Sequence, residues 1–214
     1  MHNSPVGALA RDIAKDVLER IERSKTAVPV GISNKHVHLS AEHWDLLFGR
    51  DRKPTEMRRL RQPGYFACHE TVDVEGPKGR LNGLRLIAPH RPKTQVELSR
   101  GDALALGLKP PVAGSGKLEG AAPVKVHGPK GSVEVQEGLI IPMRHLHLSP
   151  DEGRVLNLKT GDIVRMRAGI GGPRELVFEQ VLVRVSPEFA LELHVDSDEA
   201  NAAWLKNGDF VHIT

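Results

Sequence analysis

Residues 35–40 read Lys-His-Val-His-Leu-Ser, and residues 144–149 repeat the pattern as Arg-His-Leu-His-Leu-Ser. Side chains in an extended strand alternate between its faces, so His36 and His38 project from one side and Val37 from the other. His145 and His147 are related to Leu146 in the same way. Two imidazoles placed like this reach one metal ion at about 2.0–2.1 Å from each nitrogen. A single His-x-His pair is a weak signal, and buried neutral histidines are the competing reading. Two copies in matching contexts, each preceded by a cation and followed by Leu-Ser, point instead to a divalent metal, with zinc foremost.

Outward from these pairs the chain keeps echoing itself. Val72–Arg91 (VDVEGPKGRLNGLRLIAPHR) resembles Val124–Arg144 (VKVHGPKGSVEVQEGLIIPMR) with one residue inserted, and Leu-x-x-Gly-Asp occurs at 98–102, 158–162 and 205–209. Gly-Pro-Lys-Gly at 76–79 and 128–131 marks turns between strands. Alternating or short apolar runs predict strands over 29–33, 70–75, 82–88, 94–98, 122–127, 132–142, 162–168, 175–185, 190–195 and 209–213. Short helices are expected over 41–48, 150–155 and 197–204, capped by Ser40, Ser149 and Ser197. The pattern is mainly β: two similar small β-barrel domains with short covering helices. We place them at 29–115 and 116–214, with the boundary in the Pro- and Gly-rich stretch PPVAGSGKLEG.

Residues 1–28 form a separate segment. Over 5–24, Leu9, Ile13, Val17, Leu18 and Ile21 share one half of a helical wheel and charged residues share the other, with Ser4 as cap and Pro5 in the first turn. This amphipathic helix either packs on its own domain or docks on a partner.

Composition narrows the function classes. The 214 residues include 21 Gly and 15 Pro, and their formal charge is only +3, with basic and acidic residues interspersed. No basic stripe with interleaved aromatics suggests nucleic acid. No run of about 18 apolar residues suggests a membrane span, and the N-terminus does not read as a secretion signal. The lone Cys68 has no internal disulfide partner, which fits a reducing cytosol.

Two further stretches carry chemistry. In Arg91–Ser99 (RPKTQVELS), Glu97 is a candidate carboxylate for a site of histidines plus one acid. Arg91 presents a rigid fork of donors suited to phosphate oxygens. An Arg–Glu surface pair would look the same. In Leu191–Asp196 (LELHVD), alternation sets His194 beside Glu192 and Asp196, a pattern that alone reads as a surface residue.

The runs VPVGISNKHVHLS (28–40), RPKTQVELSRGDALALG (91–107), MRHLHLSP (143–150) and ELHVDSDEANAA (192–203) together resemble the PduL-type phosphotransacylases, the phosphate propanoyltransferases of bacterial microcompartments. The similarity runs in order from about residue 7 to the C-terminus. It implies two zinc ions per chain in a cleft, with His36, His38, Glu97, His145, His147 and His194 as ligands. It further implies phosphate held by Arg91 and coenzyme A contacted by Ser33, Arg85 and Asn201. Ala88 stands where a glycine is common before Pro-x-Arg, and Met143 occupies a variable place; neither change removes a ligand. The implied reaction interconverts propanoyl-CoA, or another short acyl-CoA, and phosphate with acyl phosphate and coenzyme A. The setting implied is the bacterial cytoplasm, inside a microcompartment for propanediol degradation, with residues 5–24 docking on shell proteins and the enzyme a homodimer. A metal-dependent hydrolase and a non-catalytic zinc-stabilised binding module are the alternatives.

Overall fold

The computed structural model describes residues 5–214, so the proposed Ser4 cap lies outside the described residues. The chain opens with helix α1 (Pro5–Ser24) and strand β1 (Ala27–Ser33). Leu9, Ile13, Val17, Leu18 and Ile21 of α1 are exposed. The end of the helix is tied down: Asn157 Nδ2 donates to Glu19 Oε2 at 2.9 Å, and His212 Nδ1 bonds the Ser24 carbonyl at 2.9 Å.

The remaining elements follow in short pieces. They are β2 (His36–His38), α2 (Ala41–Phe48), β3 (Glu56–Arg59), β4 (Phe66–Gly76), β5 (Gly79–Ala88), β6 (Gln95–Glu97), α3 (Arg100–Ala105), β7 (Val112–Ala113), β8 (Ala122–His127) and β9 (Ser132–Pro142). After them come β10 (His145–Leu148), α4 (Pro150–Val155), β11 (Ile163–Ala168), β12 (Leu176–Val185), β13 (Glu192–Asp196), α5 (Ser197–Ala202) and β14 (Phe210–Ile213). Among the described residues no helix is long and apolar enough to cross a membrane.

Two compact units result. One, here the His36 unit, comprises Ile32–Arg144 and Val195–Asn201; the other, the His145 unit, comprises the chain up to Gly31, His145–His194 and Ala202–Thr214. In the His36 unit the strands close in the order β4-β5-β2-β6-β9-β8 and back to β4, while β3 and β7 extend the sheet beside β4 and β9. The His145 unit closes as β1-β13-β10-β12-β11-β14. The fold is mainly β with two six-stranded closed barrels, as the patterning indicated. Closure removes the unpaired edges that a six-strand sheet would otherwise expose.

The period-2 pattern fills both interiors. Along β11, Val164, Met166 and Ala168 are buried while Ile163, Arg165 and Arg167 face outward. In the His36 unit, Val37, Leu39, Val72, Val74, Leu84, Leu86, Val96, Val126 and Leu139 join one apolar cluster, with Trp44, Leu47 and Phe48 of α2 packed on it.

The division between units differs from the sequence expectation. A break at 115/116 falls inside the His36 unit, because β8 pairs with β4 and β9 pairs with β6. The two Gly-Pro-Lys-Gly hairpins, read as counterparts in two domains, are neighbours in one barrel. Each grips the end of a short helix: Lys78 N donates to the Leu106 carbonyl beyond α3, and Lys130 N to the Leu47 carbonyl of α2, both at 3.0 Å. Leu-x-x-Gly-Asp also divides. At 158–162 and 205–209 it is a turn into a strand, with Asp162 Oδ2 and Asp209 Oδ2 accepting from Lys159 N and Lys206 N. At 98–102 it enters α3, a helix too short and Gly-containing to stand out by periodicity.

The first glycine of each Gly-Pro-Lys-Gly turn is required for close approach. A Cβ on Gly128 would lie 2.7 Å from Leu47 Cβ and 2.8 Å from its carbonyl oxygen, and one on Gly76 would lie 2.6 Å from the Leu106 oxygen. A Cβ on Gly131 meets nothing nearer than 3.4 Å. Gly76→Ala and Gly128→Ala should each destabilise the protein by about 1–3 kcal/mol through overpacking. Gly131→Ala should stay within about 0.5 kcal/mol of wild type. Urea or thermal denaturation of the three variants checks this.

Candidate metal centre

β2 lies between β5 and β6, and its antiparallel register with β6 sets His36 directly opposite Glu97. His36 Nε2 is 3.2 Å from His38 Nε2 and 3.5 Å from Glu97 Oε2. Two ligands bound tetrahedrally at about 2.0–2.1 Å from zinc lie about 3.3–3.4 Å apart. His36 Nε2 therefore stands from both partners at close to the separation that a shared ion requires. His36 Nδ1 bonds the Asn34 carbonyl at 2.8 Å, which makes Nδ1 the protonated nitrogen and leaves Nε2 as the ligand lone pair. His38 Nδ1 is buried without a hydrogen-bond partner.

The electrostatics of this group favour a cation. Burial, together with the neighbouring Arg91 and His36, holds the His38 imidazole well below its usual range, so it stays neutral and able to coordinate. Burial opposes ionisation of Glu97, but the polar groups of His36, His38 and Ser115 and the charge of Arg91 outweigh it and hold the carboxyl at about 2. An ionised carboxylate this deep in a barrel needs compensating charge.

The His145 unit repeats the arrangement with a third imidazole in place of the carboxylate. β10 pairs with β13 so that His145 stands opposite His194, as His36 does opposite Glu97. The ring centroids are 4.6 Å apart for His145–His147, 5.0 Å for His145–His194 and 4.6 Å for His147–His194. In each triad the candidate ligand atoms all lie within 4.8 Å of one another. Phe189 stacks on His147 with centroids 3.8 Å apart and planes 13° from parallel, which fixes the tilt of that ring. Burial and the nearby His145, His194 and Arg184 push the His147 imidazole far down, so it too is neutral. Glu192 Oε2 accepts from His194 Nε2 at 2.7 Å.

All six residues proposed as ligands thus fall into two triads, one per unit. Arg91 lies between β5 and β6. Its backbone N donates to the Leu39 carbonyl, its Nη1 donates to Ser115 Oγ at 3.0 Å, and its charge acts on both Glu97 and His38. Ser33, Arg85 and Asn201 all belong to the His36 unit. Arg85 Nη1 is spent on the Cys68 and His69 carbonyls, both at 2.9 Å, where it ties β5 to β4. Cys68 is buried, and burial pushes its thiol up to about 11, so it is a core residue and no nucleophile.

Sequence reading missed Gln95 and Ser115. Gln95 is buried, and its Nε2 donates to Glu97 Oε1, which also accepts from Ser115 Oγ at 2.8 Å. Gln95 precedes Glu97 by two and so shares its face, a signal present in the alternation; Ser115 sat in a stretch read as a linker. The helix cap at 197 is also displaced by one. Asp196 is the cap, accepting from Glu199 N at 2.8 Å while Glu199 Oε2 accepts from Asp196 N.

Each barrel thus brings together three side chains that could hold a metal ion. Comparison with known proteins supplies the chemistry. The family model described as phosphate propanoyltransferase matches residues 29–206. A phosphate propanoyltransferase of Thermotoga maritima is 47% identical over 89% of this chain and 90% of its own. Those of Citrobacter freundii and Salmonella typhimurium are 42% and 40% identical, over 87% and 93% of this chain and 88% and 93% of theirs. The chain belongs to the phosphate propanoyltransferase family and is a phosphate acyltransferase.

Because each triad is built within its own unit, the two should empty independently. Elemental analysis should find two metal equivalents in wild type, one in His38→Ala, one in His147→Ala and none in the double variant.

Proposed function

We propose that this enzyme transfers the acyl group of propanoyl-CoA, or of another short acyl-CoA, to phosphate and back, with zinc held at His36, His38 and Glu97 and at His145, His147 and His194. The observation that carries the reading is the spacing of the His36, His38 and Glu97 ligand atoms beside the half-buried Arg91. Imidazole and carboxylate donors suit zinc. When bound, the cation supplies Lewis acidity at the thioester carbonyl and a soft partner for the departing thiolate.

The chain's own residues supply the rest. Arg91 orients phosphate and offsets the negative charge that builds as an oxygen attacks the carbonyl carbon. The carbon–sulfur bond breaks and coenzyme A leaves as the thiolate, to be protonated in solvent. No acyl-enzyme is needed, which fits a buried Cys68 kept in its thiol form. Ser33, Arg85 and Asn201 are the contacts for coenzyme A that the family resemblance suggests.

Arg91→Ala should abolish phosphate-dependent release of coenzyme A and leave metal content at the wild-type value. A normal rate in that variant removes Arg91 from the mechanism. Release of coenzyme A that is as fast without phosphate as with it would mark a hydrolase. Running acetyl-, propanoyl- and butanoyl-CoA in the same assay, before and after chelation, ranks the acyl groups, which differ by one methylene or about 0.8 kcal/mol of burial each.

For residues 5–24 the reading that goes with the family is docking on the shell of a bacterial microcompartment. The exposed Leu9, Ile13, Val17, Leu18 and Ile21 support it. A chain lacking residues 1–24 should keep its activity and lose co-purification with shell proteins; the reverse result assigns α1 to the fold.

A further inference from the structure

Behind the Glu97 carboxylate lies a closed hydrogen-bond circuit that the reaction as described does not use. Arg91 Nη1 donates to Ser115 Oγ at 3.0 Å, and Gln95 Nε2 donates to the same oxygen at 2.9 Å. Guanidinium and amide nitrogens only donate, so the Ser115 hydroxyl has filled its acceptor capacity and has one proton to give. That proton goes to Glu97 Oε1 at 2.8 Å, which also receives the second Gln95 Nε2–H. Gln95 Oε1 accepts from Gly116 N at 2.8 Å, closing the circuit through the backbone. Every donor and acceptor in it has one direction.

The loop that carries Ser115 is anchored on both sides. Ile141 N donates to the Pro111 carbonyl and Met143 N to the Ala113 carbonyl, both at 2.9 Å, along the parallel β7–β9 pairing. Ser115 is therefore held in place by β9 and β6 together. Among the described residues no ion pair joins Arg91 to Glu97, although each side chain feels the other's charge.

We propose that Ser115 is a positioning residue that stands between Arg91 and Glu97 and prevents them from pairing directly. An Arg–carboxylate pair is bidentate when it can be, and buried pairs of that kind are costly to break. Direct pairing here would consume the Arg91 donors that phosphate requires and draw the Glu97 carboxylate away from His36 and His38. With the hydroxyl between them, Oε1 of Glu97 is fixed from behind and Oε2 is left toward His36, while Arg91 keeps its remaining N–H groups. Gln95 acts as the brace that fixes Ser115 and Glu97 relative to each other. The inference rests on Arg91 as the phosphate-binding group.

Ser115→Ala tests it, in a half-buried loop position where alanine adds no bulk. In the zinc-loaded enzyme the KM for phosphate should rise about tenfold or more, the scale of losing a hydrogen bond to a charged group, while the KM for acyl-CoA stays within about twofold. In a chelator titration, which needs no turnover, one zinc of the two should leave at a chelator concentration about tenfold lower than in wild type. Ser115→Thr, which keeps the hydroxyl, should restore both values. An unchanged phosphate KM or an unchanged chelator midpoint in Ser115→Ala overturns the proposal, because both ends of the spacer must respond. If wild type itself shows no phosphate-dependent turnover, the assignment of Arg91 fails, and the chelator titration still decides whether Ser115 holds Glu97.

Discussion

Strand register decides where every candidate ligand stands. A His-x-His pair places two imidazoles side by side on any strand, but a third ligand must come from a neighbour, and only one alignment of that neighbour puts it there. β6 delivers Glu97 opposite His36, and β13 delivers His194 opposite His145. A slip of one residue on either strand would turn the third ligand to the other face and bring a core residue, Val96 or Leu193, into the site. Barrel closure enforces the alignment, since Val96 and Leu193 are both fully buried and have nowhere else to go. The metal-ligating geometry is thus a by-product of packing the barrel.

A second device fixes where each ligand strand stops. His38, Glu97, His147 and His194 are each followed, two residues later, by the cap of a short helix: Ser40, Ser99, Ser149 and Asp196. Each cap accepts a bond from the helix's first turn, and the serine caps have extended backbone. The capped helix pins the C-terminal end of the strand, so the ligand two residues earlier cannot slide. The residue between ligand and cap (Leu39, Leu98, Leu148 or Val195) is buried in every case. Ligand, core residue and cap form a three-residue unit used four times.

That unit explains what was legible in the sequence. The histidine pairs stood out because they repeat verbatim with Leu-Ser, and most strands followed from period-2 alternation. Glu97-Leu98-Ser99 and His194-Val195-Asp196 carry the same ligand–core–cap pattern, yet with Glu for His or Asp for Ser they do not look like repeats. Barrel membership was harder, because it depends on closure over long sequence separations. The two Gly-Pro-Lys-Gly hairpins are alike whether they lie in one barrel or two, and the long-range β4–β8 and β6–β9 pairings distinguish the cases. Ser115 was invisible for a related reason: a loop rich in Gly and Pro reads as a boundary, and nothing local says that it reaches back to a carboxylate eighteen residues earlier.

The two triads differ in donor set, and the difference bears on the phosphate site proposed beside Arg91. The His145 triad brings three imidazoles, while the His36 triad brings two imidazoles and a carboxylate. An anionic ligand holds a cation more firmly but also adds a negative charge that a phosphate must face. Arg91 answers that charge from within the same unit, and the Ser115 hydroxyl keeps the two from collapsing onto each other. Glu97 and Arg91 sum to zero, so a cation held by this triad would leave its own positive charge available to the phosphate proposed to bind there. A lysine would supply the same charge as Arg91, but as a point charge on a flexible stem it could not donate to Ser115 and also offer the parallel donors that the proposed phosphate site calls for.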